Sequence, residues 1–393
     1  MLGTNSIRAG LAAVILAVGA FVAGCGGSGT VAFEGVDLAT QALAAAEASG
    51  LRVPEGGFGG ELHIYTWIDY FAPDVLESFE RALGVKVVVD TYDSNEAMYA
   101  KLKAGGRGYD VMTPSNYLID TMAREGLIDA IDGSRIPNVI RNFDRSFVSQ
   151  VHDPEFRHSV PYTVTYAGFI YLKDKMPEGA DVNSWAILGN SALKGRISLL
   201  DDIRQVVGAG LMYLGYSINS TDPQEIEAAV RQVLEWRANV RKFDGESYKT
   251  EVPSGSTWIG LGYSTDVTQV IVGNEREGAP AREDIGFALP KEGFAINFDE
   301  LVIAKDSKRK DLVYAFINYI YDGAVAKVNM EYILGPNPVK PGIDALDESL
   351  RKRIILDPAV VSSGQLMRGI EDIPGVRDLY SRAWDRVRTA ESR

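Results

Sequence analysis

Trp67, Asp69 and Tyr70 fall within four residues in the stretch IYTWIDYFAPDVLESFE (residues 64–80), and their types suit the holding of a positive charge. An aromatic face attracts a cation by roughly 0.5 to 2 kcal/mol and covers methylene groups, while a desolvated carboxylate fixes an ammonium in direction. The same rings also read as core aromatics at a strand end. What else the chain brings to the same place decides between the two.

From Glu61 the pattern alternates strand and helix: LHIYTW, PDVLESFERALG, VKVVVDTY, NEAMYAKLKAG, YDVMTPS, NYLIDTMAREG. Strands separated by single helices imply βαβ units and a parallel or mixed sheet covered on both faces. Ligands of such sheets sit beyond the carboxyl ends of the strands. The loops at Trp67–Tyr70, Thr91–Asn95 and Ser115–Tyr117 each follow a strand, so they converge on one edge. The second half repeats the theme, with GRISLLDD as strand and loop, PQEIEAAVRQVLEWRANVRKF as one long helix and STWIGLGYSTDVTQVI as a strand feeding a helix. The β-rich segments SVPYTVTYAGFIYL and AINFDELVIA lie between the two α/β halves and are the candidate hinges. RKDLVYAFINYIYDGAVAKVN reads as a mostly buried helix pair.

Composition narrows the function. The 393 residues are 46% hydrophobic and 24% charged, which is enough for two lobes with real cores. The net charge of −13 repels nucleic acid and anionic lipid and draws cations. Arg8 precedes the uncharged run AGLAAVILAVGAFVAGC, too short for a comfortable membrane span, and Val22-Ala23-Gly24-Cys25 resembles a bacterial lipobox. Residues 1–24 are thus expected to be a lipoprotein signal peptide and Cys25 the lipidated first residue of the mature chain. It is the one cysteine, which leaves no disulfide and no thiol chemistry. Two or more acyl chains hold far more durably than one, so the mature protein should stay tethered, meeting the membrane through its lipid anchor only. Residues 25–60 read as tether and linker, with one short helix in DLATQALAAAEASG begun near Asp37 or Thr40 and ended at Gly50.

No catalytic pattern stands out. His63, His152 and His158 are the only histidines and sit in no HExxH motif, paired-carboxylate spacing or nucleophile elbow. HDPEFRH reads as a solvated loop rather than a metal site, and GGRG and GLG lack the strand, glycine-rich loop, helix and lysine context of a phosphate cradle. Neither enzyme, cofactor nor metal is expected.

YDSNEAMYAKLKAGGRGYDVMTPSNYLIDTMAREGLIDAID and the later LGYSINSTDPQEIEAA resemble the bacterial periplasmic polyamine-binding proteins, the spermidine and putrescine receptors of ABC importers, and the resemblance runs from about Glu61 to Arg393. It implies a type II periplasmic-binding-protein fold, two α/β lobes with the ligand trapped in a cleft between them. The lobes would comprise residues 61–166 with 299–345, and 167–298 with the C-terminal helices of 346–393. The resemblance also implies a ligand set. Trp67, Asp69 and Tyr70 match ligand-contacting positions, with Ile68 in place of a hydroxyl residue. Ser115 and Tyr117 match the loop after the third strand. Asp202 matches an acid, while Gln205 stands where spermidine receptors have a second one. Tyr263 takes the place of a stacking Trp, Asp266 matches an acid of the putrescine type, and Asp299 matches an acid near the interlobe crossing. Asn297 replaces an aromatic, and Gly335 lies near where the family offers a Tyr.

These departures remove stacking surface and lean toward putrescine or a similarly short cation. The residues have plainer readings too: Asp202 and Asp266 as helix caps, Ser115 and Asn116 as a helix start. The expected function is a lipid-anchored, monomeric receptor in the periplasm or on the outer face of the cytoplasmic membrane. It would deliver a polyamine to an ABC permease and its ATPase. A receptor of the same fold for another small solute, and a surface or sensor lipoprotein with a vestigial cleft, are the rivals; an iron receptor would want neighbouring tyrosines where TWIDYF places Trp and Asp.

Overall fold

The computed structural model describes residues 35–92, 94–148, 151–273, 280–370 and 375–390, so the expected signal segment and Cys25 lie outside the described residues. The first lobe opens with parallel strands β1 (Glu61–Trp67), β2 (Lys86–Tyr92) and β3 (Val111–Met112), connected through α2 (Pro73–Leu83) and α3 (Asn95–Lys103), and preceded by α1 (Leu38–Ala48). The reason α2 forms is visible in its sequence. Pro73 stands at the first turn, where it needs no N–H partner, and Val75, Phe79 and Leu83 recur on one face and are buried. Gly84 ends it in the left-handed region at φ 58°, packed so closely on Gly57 that a Cβ would lie 2.8 Å from its Cα. β3 is cut to two residues because Pro114 follows and has no N–H to continue the ladder.

After α4 (Ile119–Arg124) and α5 (Pro137–Asn142) comes β4 (Val160–Leu172), a 13-residue strand almost wholly buried. It is more than twice an ordinary strand because it serves two cores. Val160, Tyr162, Val164 and Tyr166 belong to the first core, while Ala167, Phe169, Ile170 and Leu172 belong to the second. The second lobe contains β5 (Ile197–Leu199), α6 (Ile203–Tyr213), α7 (Pro223–Arg237), β6 (Val240–Phe243), α8 (Tyr248–Glu251), β7 (Ile259–Tyr263), α9 (Ser264–Val272) and β8 (Ile285–Ala288). β9 (Phe294–Ile303) then runs back antiparallel to β4 and on to β3. The chain closes with α10 (Lys310–Ile320), α11 (Gly323–Ile333), α12 (Lys340–Asp344), α13 (Glu348–Ile354), α14 (Pro358–Val361), β10 (Gly364–Leu366) and α15 (Val376–Thr389). The strands join in the order β2-β1-β3-β9-β4-β7-β5-β6, with β10 on β9 and β8 on β4. This is the two-lobed α/β architecture expected from the sequence. Among the described residues no helix is long and apolar enough to cross a membrane.

The structure corrects three expectations. The long helix from Pro223 stops at Arg237, because Val240–Phe243 pairs with β5 as a strand. The C-terminal segment joins the second core at Met367 rather than Leu346: Leu346 and Ile354 are buried in the first core, as are Phe294 and Phe298 of β9, ahead of the expected boundary. The supposed linker is in part a packed element. α1 is capped by Asp37, and Ala42, Ala45 and Ala46 are buried against α2 and α10. Alanine gave no strong apolar signal, yet its small side chain is what lets two helices approach closely.

An Ala45→Asp substitution would bury an unpaired carboxylate in that contact. We expect it to destabilise the protein by about 2 to 4 kcal/mol, read from urea unfolding, and a fragment starting at Glu61 to be less stable than one starting at Gly35. Unchanged midpoints would show that α1 is not part of the folded body.

Candidate functional site

Parallel β1, β2 and β3 end at one edge, and β9 passes that edge in the opposite direction. Three residues beyond the end of β3 the backbones of Ser115 and Asp299 still meet in a bridge. This places Asp299 under the three loops. Its carboxylate, 9% exposed, accepts a hydrogen bond from the Tyr70 hydroxyl and one from Ser115 Oγ at 2.5 Å. Tyr70 is held in turn: Tyr162 Oη donates to its carbonyl at 2.7 Å and packs edge-on against its ring. Asn95 organises the opposite side, its Nδ2 donating to Ser115 Oγ and to Tyr117 Oη, both at 2.9 Å, and its Oδ1 accepting from the Ser115 N–H at 3.1 Å. Burial pushes the Asp299 carboxyl up to about 6, although the Ser115 and Tyr70 hydroxyls pull the other way.

Trp67 ends β1 with its indole N–H donated to the Thr113 carbonyl at 3.2 Å and its ring leaning on Tyr92 at 4.6 Å. The next residues turn sharply. Ile68 is 71% exposed, and Asp69 takes φ 52°, a left-handed conformation that non-glycine residues enter only at some cost. That reversal answers why a carboxylate sits between two rings: it leaves Asp69 exposed at the rim while Tyr70 turns inward to Asp299. The Tyr332 hydroxyl lies 3.5 Å from Asp69.

The second lobe has its own acid. β7 delivers Tyr263, and Asp266 lies in the first turn of α9, where the helix dipole favours negative charge. Asp266 accepts a hydrogen bond from the Tyr248 hydroxyl and stands 3.9 Å from Lys249 Nζ. Burial raises its pKa against the pull of Lys249 and Tyr248. β5 runs parallel to β7, so Asp202, just past β5, belongs to the same edge. Asp202 caps α6, its Oδ1 accepting from the backbone N–H of Arg204 at 2.7 Å and of Gln205 at 3.0 Å, and Gln205 is buried in that first turn.

The structure therefore gathers Tyr70, Ser115, Tyr117 and Asp299 in one network and sets Tyr263 and Asp266 in another, with Trp67 and Asp69 at the rim of the first. Gly335 packs on Thr265 at the start of α9, where a Cβ would meet the Thr265 methyl at 2.3 Å. Sequence reading missed Asn95, Tyr162, Tyr248 and Lys249. Asn95 was within reach, since it lies in a loop already assigned to the edge; Tyr248 and Lys249 sit in GESYKTE, a segment without periodicity. No group of three or more His, Cys, Asp or Glu among the described residues is arranged to hold a metal.

The model of the family "Bacterial extracellular solute-binding protein" matches residues 74–353. The chain is 34% identical over 336 residues to the spermidine/putrescine-binding periplasmic protein of Escherichia coli, covering 84% of this chain and 89% of that one. Among solved structures it resembles the spermidine/putrescine ABC transporter substrate-binding protein of Streptococcus pneumoniae, with TM-score 0.72, 31% identity and coverage of 84% and 99%. It also resembles the Tp0655 lipoprotein of Treponema pallidum, with TM-score 0.73, 30% identity and coverage of 84% and 100%.

The raised pKa of Asp299 has a definite sign. An acid whose folded pKa lies above its unfolded value is least unfavourable at low pH and withdraws stability as pH rises. We expect the stability of the ligand-free protein relative to Asp299→Asn to fall by up to about 3 kcal/mol between about pH 4 and pH 6, then to level off. Denaturant unfolding at a series of pH values reads it directly. A flat difference across that range would mean that Asp299 is not a strained, buried carboxylate.

Proposed function

Because the chain belongs to the bacterial extracellular solute-binding proteins, a family of receptors rather than enzymes, we propose that it is the lipid-anchored receptor of an ABC importer and binds a polyamine-like cation, putrescine or a similarly short amine, between its lobes. The observation that carries this reading is the Asp299 carboxylate, buried where β9 crosses between the lobes and met by hydroxyls alone. Among the described residues no counter-charge lies within hydrogen-bond reach of that carboxylate, and an ammonium supplies one. The spermidine/putrescine-binding relatives support the same ligand class.

In this proposal Trp67, Asp69, Tyr70, Ser115, Tyr117 and Asp299 receive the ligand on the first lobe. Tyr263, Asp266, Asp202 and Gln205 meet it from the second. β4 and β9 are the hinge. Closure requires that the ligand gain contacts in the closed form that the open form lacks, since a ligand held equally by both shifts nothing. The anchor at Cys25 is inferred from the leader pattern and accords with the lipoprotein from Treponema pallidum. It would keep the receptor beside its permease, in the periplasm or on the outer face of the cytoplasmic membrane.

A thermal-shift panel of putrescine, cadaverine, spermidine, agmatine, choline and neutral solutes tests the proposal. A true ligand at about a hundred times its Kd adds roughly 2.7 kcal/mol to stability. Asp299→Asn should weaken that amine by about 10- to 150-fold, the worth of a charge-assisted bond. Equal affinity in the variant would remove Asp299 from the site, and silence from every amine would remove the ligand class. For the anchor, Cys25→Ser should move the protein from the membrane fraction to the soluble one; unchanged fractionation would rule out lipidation at that residue.

A further inference from the structure

The long strand β4, paired with β9 and then with β7, sets the order of the cleft's groups along its length. Asp299 pairs with Thr163 and Asn297 with Thr165, and two residues further along β4 Ala167 pairs with Tyr263, from which α9 and Asp266 follow. At roughly 3.3 Å per strand residue, Asn297 stands about 7 Å from Asp299, and Tyr263 lies about 13 Å further along the direction of β4, on the side of that strand away from β9. Being two apart on one strand, Asn297 and Asp299 share a face.

Two independent observations mark the part of this order beyond Asp299. The first is Lys249. Its ammonium is bonded to Glu246 and lies 3.9 Å from Asp266, with its side chain 33% exposed. Burial works against that charge, but Asp266, Glu246 and, from the facing lobe, Asp69 outweigh it and raise its pKa. The second is Asn297, 7% exposed, whose Nδ2 has no hydrogen-bond partner among the described residues. An amide N–H only donates, so whatever meets it must accept, and an ammonium cannot.

We propose that Lys249 is a resident cation that occupies Asp266, and that the cleft takes an amine with one ammonium, seated at Asp299, and a neutral hydrogen-bond acceptor near Asn297: an amino alcohol or a mono-acylated diamine in preference to a free diamine. This rests on the reading of the cleft as an amine site and narrows its ligand from putrescine to a short amine of single charge. A second ammonium carried toward Asp266 meets the like charge of Lys249. A carboxylate carried there meets Asp69, Glu246 and Asp266. A hydroxyl or amide carbonyl meets neither repulsion, and a four-carbon spacer matches the separation of two strand residues.

The test is calorimetric titration of the full chain in detergent, as wild type, Lys249→Met and Asn297→Leu, with putrescine, 4-amino-1-butanol and N-acetylputrescine. The wild type should bind one of the acceptor-bearing amines at least about tenfold more tightly than putrescine. Lys249→Met should close or reverse that gap by tightening putrescine, and Asn297→Leu should weaken the acceptor-bearing amine while sparing putrescine. A wild-type preference for putrescine, or a ratio that Lys249→Met leaves unchanged, overturns the inference and leaves the amine site standing. If no amine binds any of the three folded proteins, the amine site falls as well.

Discussion

A carboxylate buried at the crossing of two lobes is the constraint around which this protein is built. Raising the Asp299 carboxyl from 3.8 to about 6 corresponds to roughly 3 kcal/mol against its ionised form. The surroundings reduce that burden without removing it. Tyr70 and Ser115 donate to the carboxylate, Asn95 fixes Ser115, and Tyr162 fixes Tyr70. Each of these comes from a different stretch of chain, so the network exists only when β1, β3, β4 and β9 are all in place.

The neighbouring residue shows the same strand solving the opposite problem. Glu300 points to the other face of β9, is fully buried, and is pushed by burial to about 8, with the Ser159 hydroxyl donating to it. At neutral pH it is mainly a neutral acid inside the core. Two consecutive acids on β9 thus have different charge states, because alternation sends one to the cleft edge and the other into packing.

Much of this was legible in the sequence because it depends on period and order. The βαβ alternation predicted the parallel strands, and strand ends predicted which loops meet, so Tyr70, Ser115 and Tyr117 were found together. The segments of β4 and β9 stood out as β-rich stretches between the two α/β halves. What could not be read was set by packing at a distance. α1 docks through three alanines, which carry too little apolar contrast to mark a face. The strand at Val240–Phe243 was hidden behind a helical run that tertiary pairing ends at Arg237. The return of the chain to the second core at Met367 has no local signal. Lys249 lay in a four-residue helix, and its importance comes from Asp266 and Asp69, which are remote in sequence.

The glycines of IGLGY show how such remote placement is encoded. A Cβ at Gly262 would lie 2.4 Å from the Tyr248 ring, and one at Gly260 would lie 2.8 Å from Ser198 Oγ. Tyr248 is buried flat against that bare stretch of β7, and from there its hydroxyl reaches Asp266. The glycines therefore do not form a phosphate cradle, despite their spacing; they clear the ground for a ring. Because Tyr248 already donates to Asp266, the second lobe holds its acid in a fixed orientation before any ligand arrives, and the adjacent residue, Lys249, is placed beside that acid by the same short helix. One buried tyrosine thus positions both the charge and the countercharge of the second lobe, as Asp299 gathers the groups of the first.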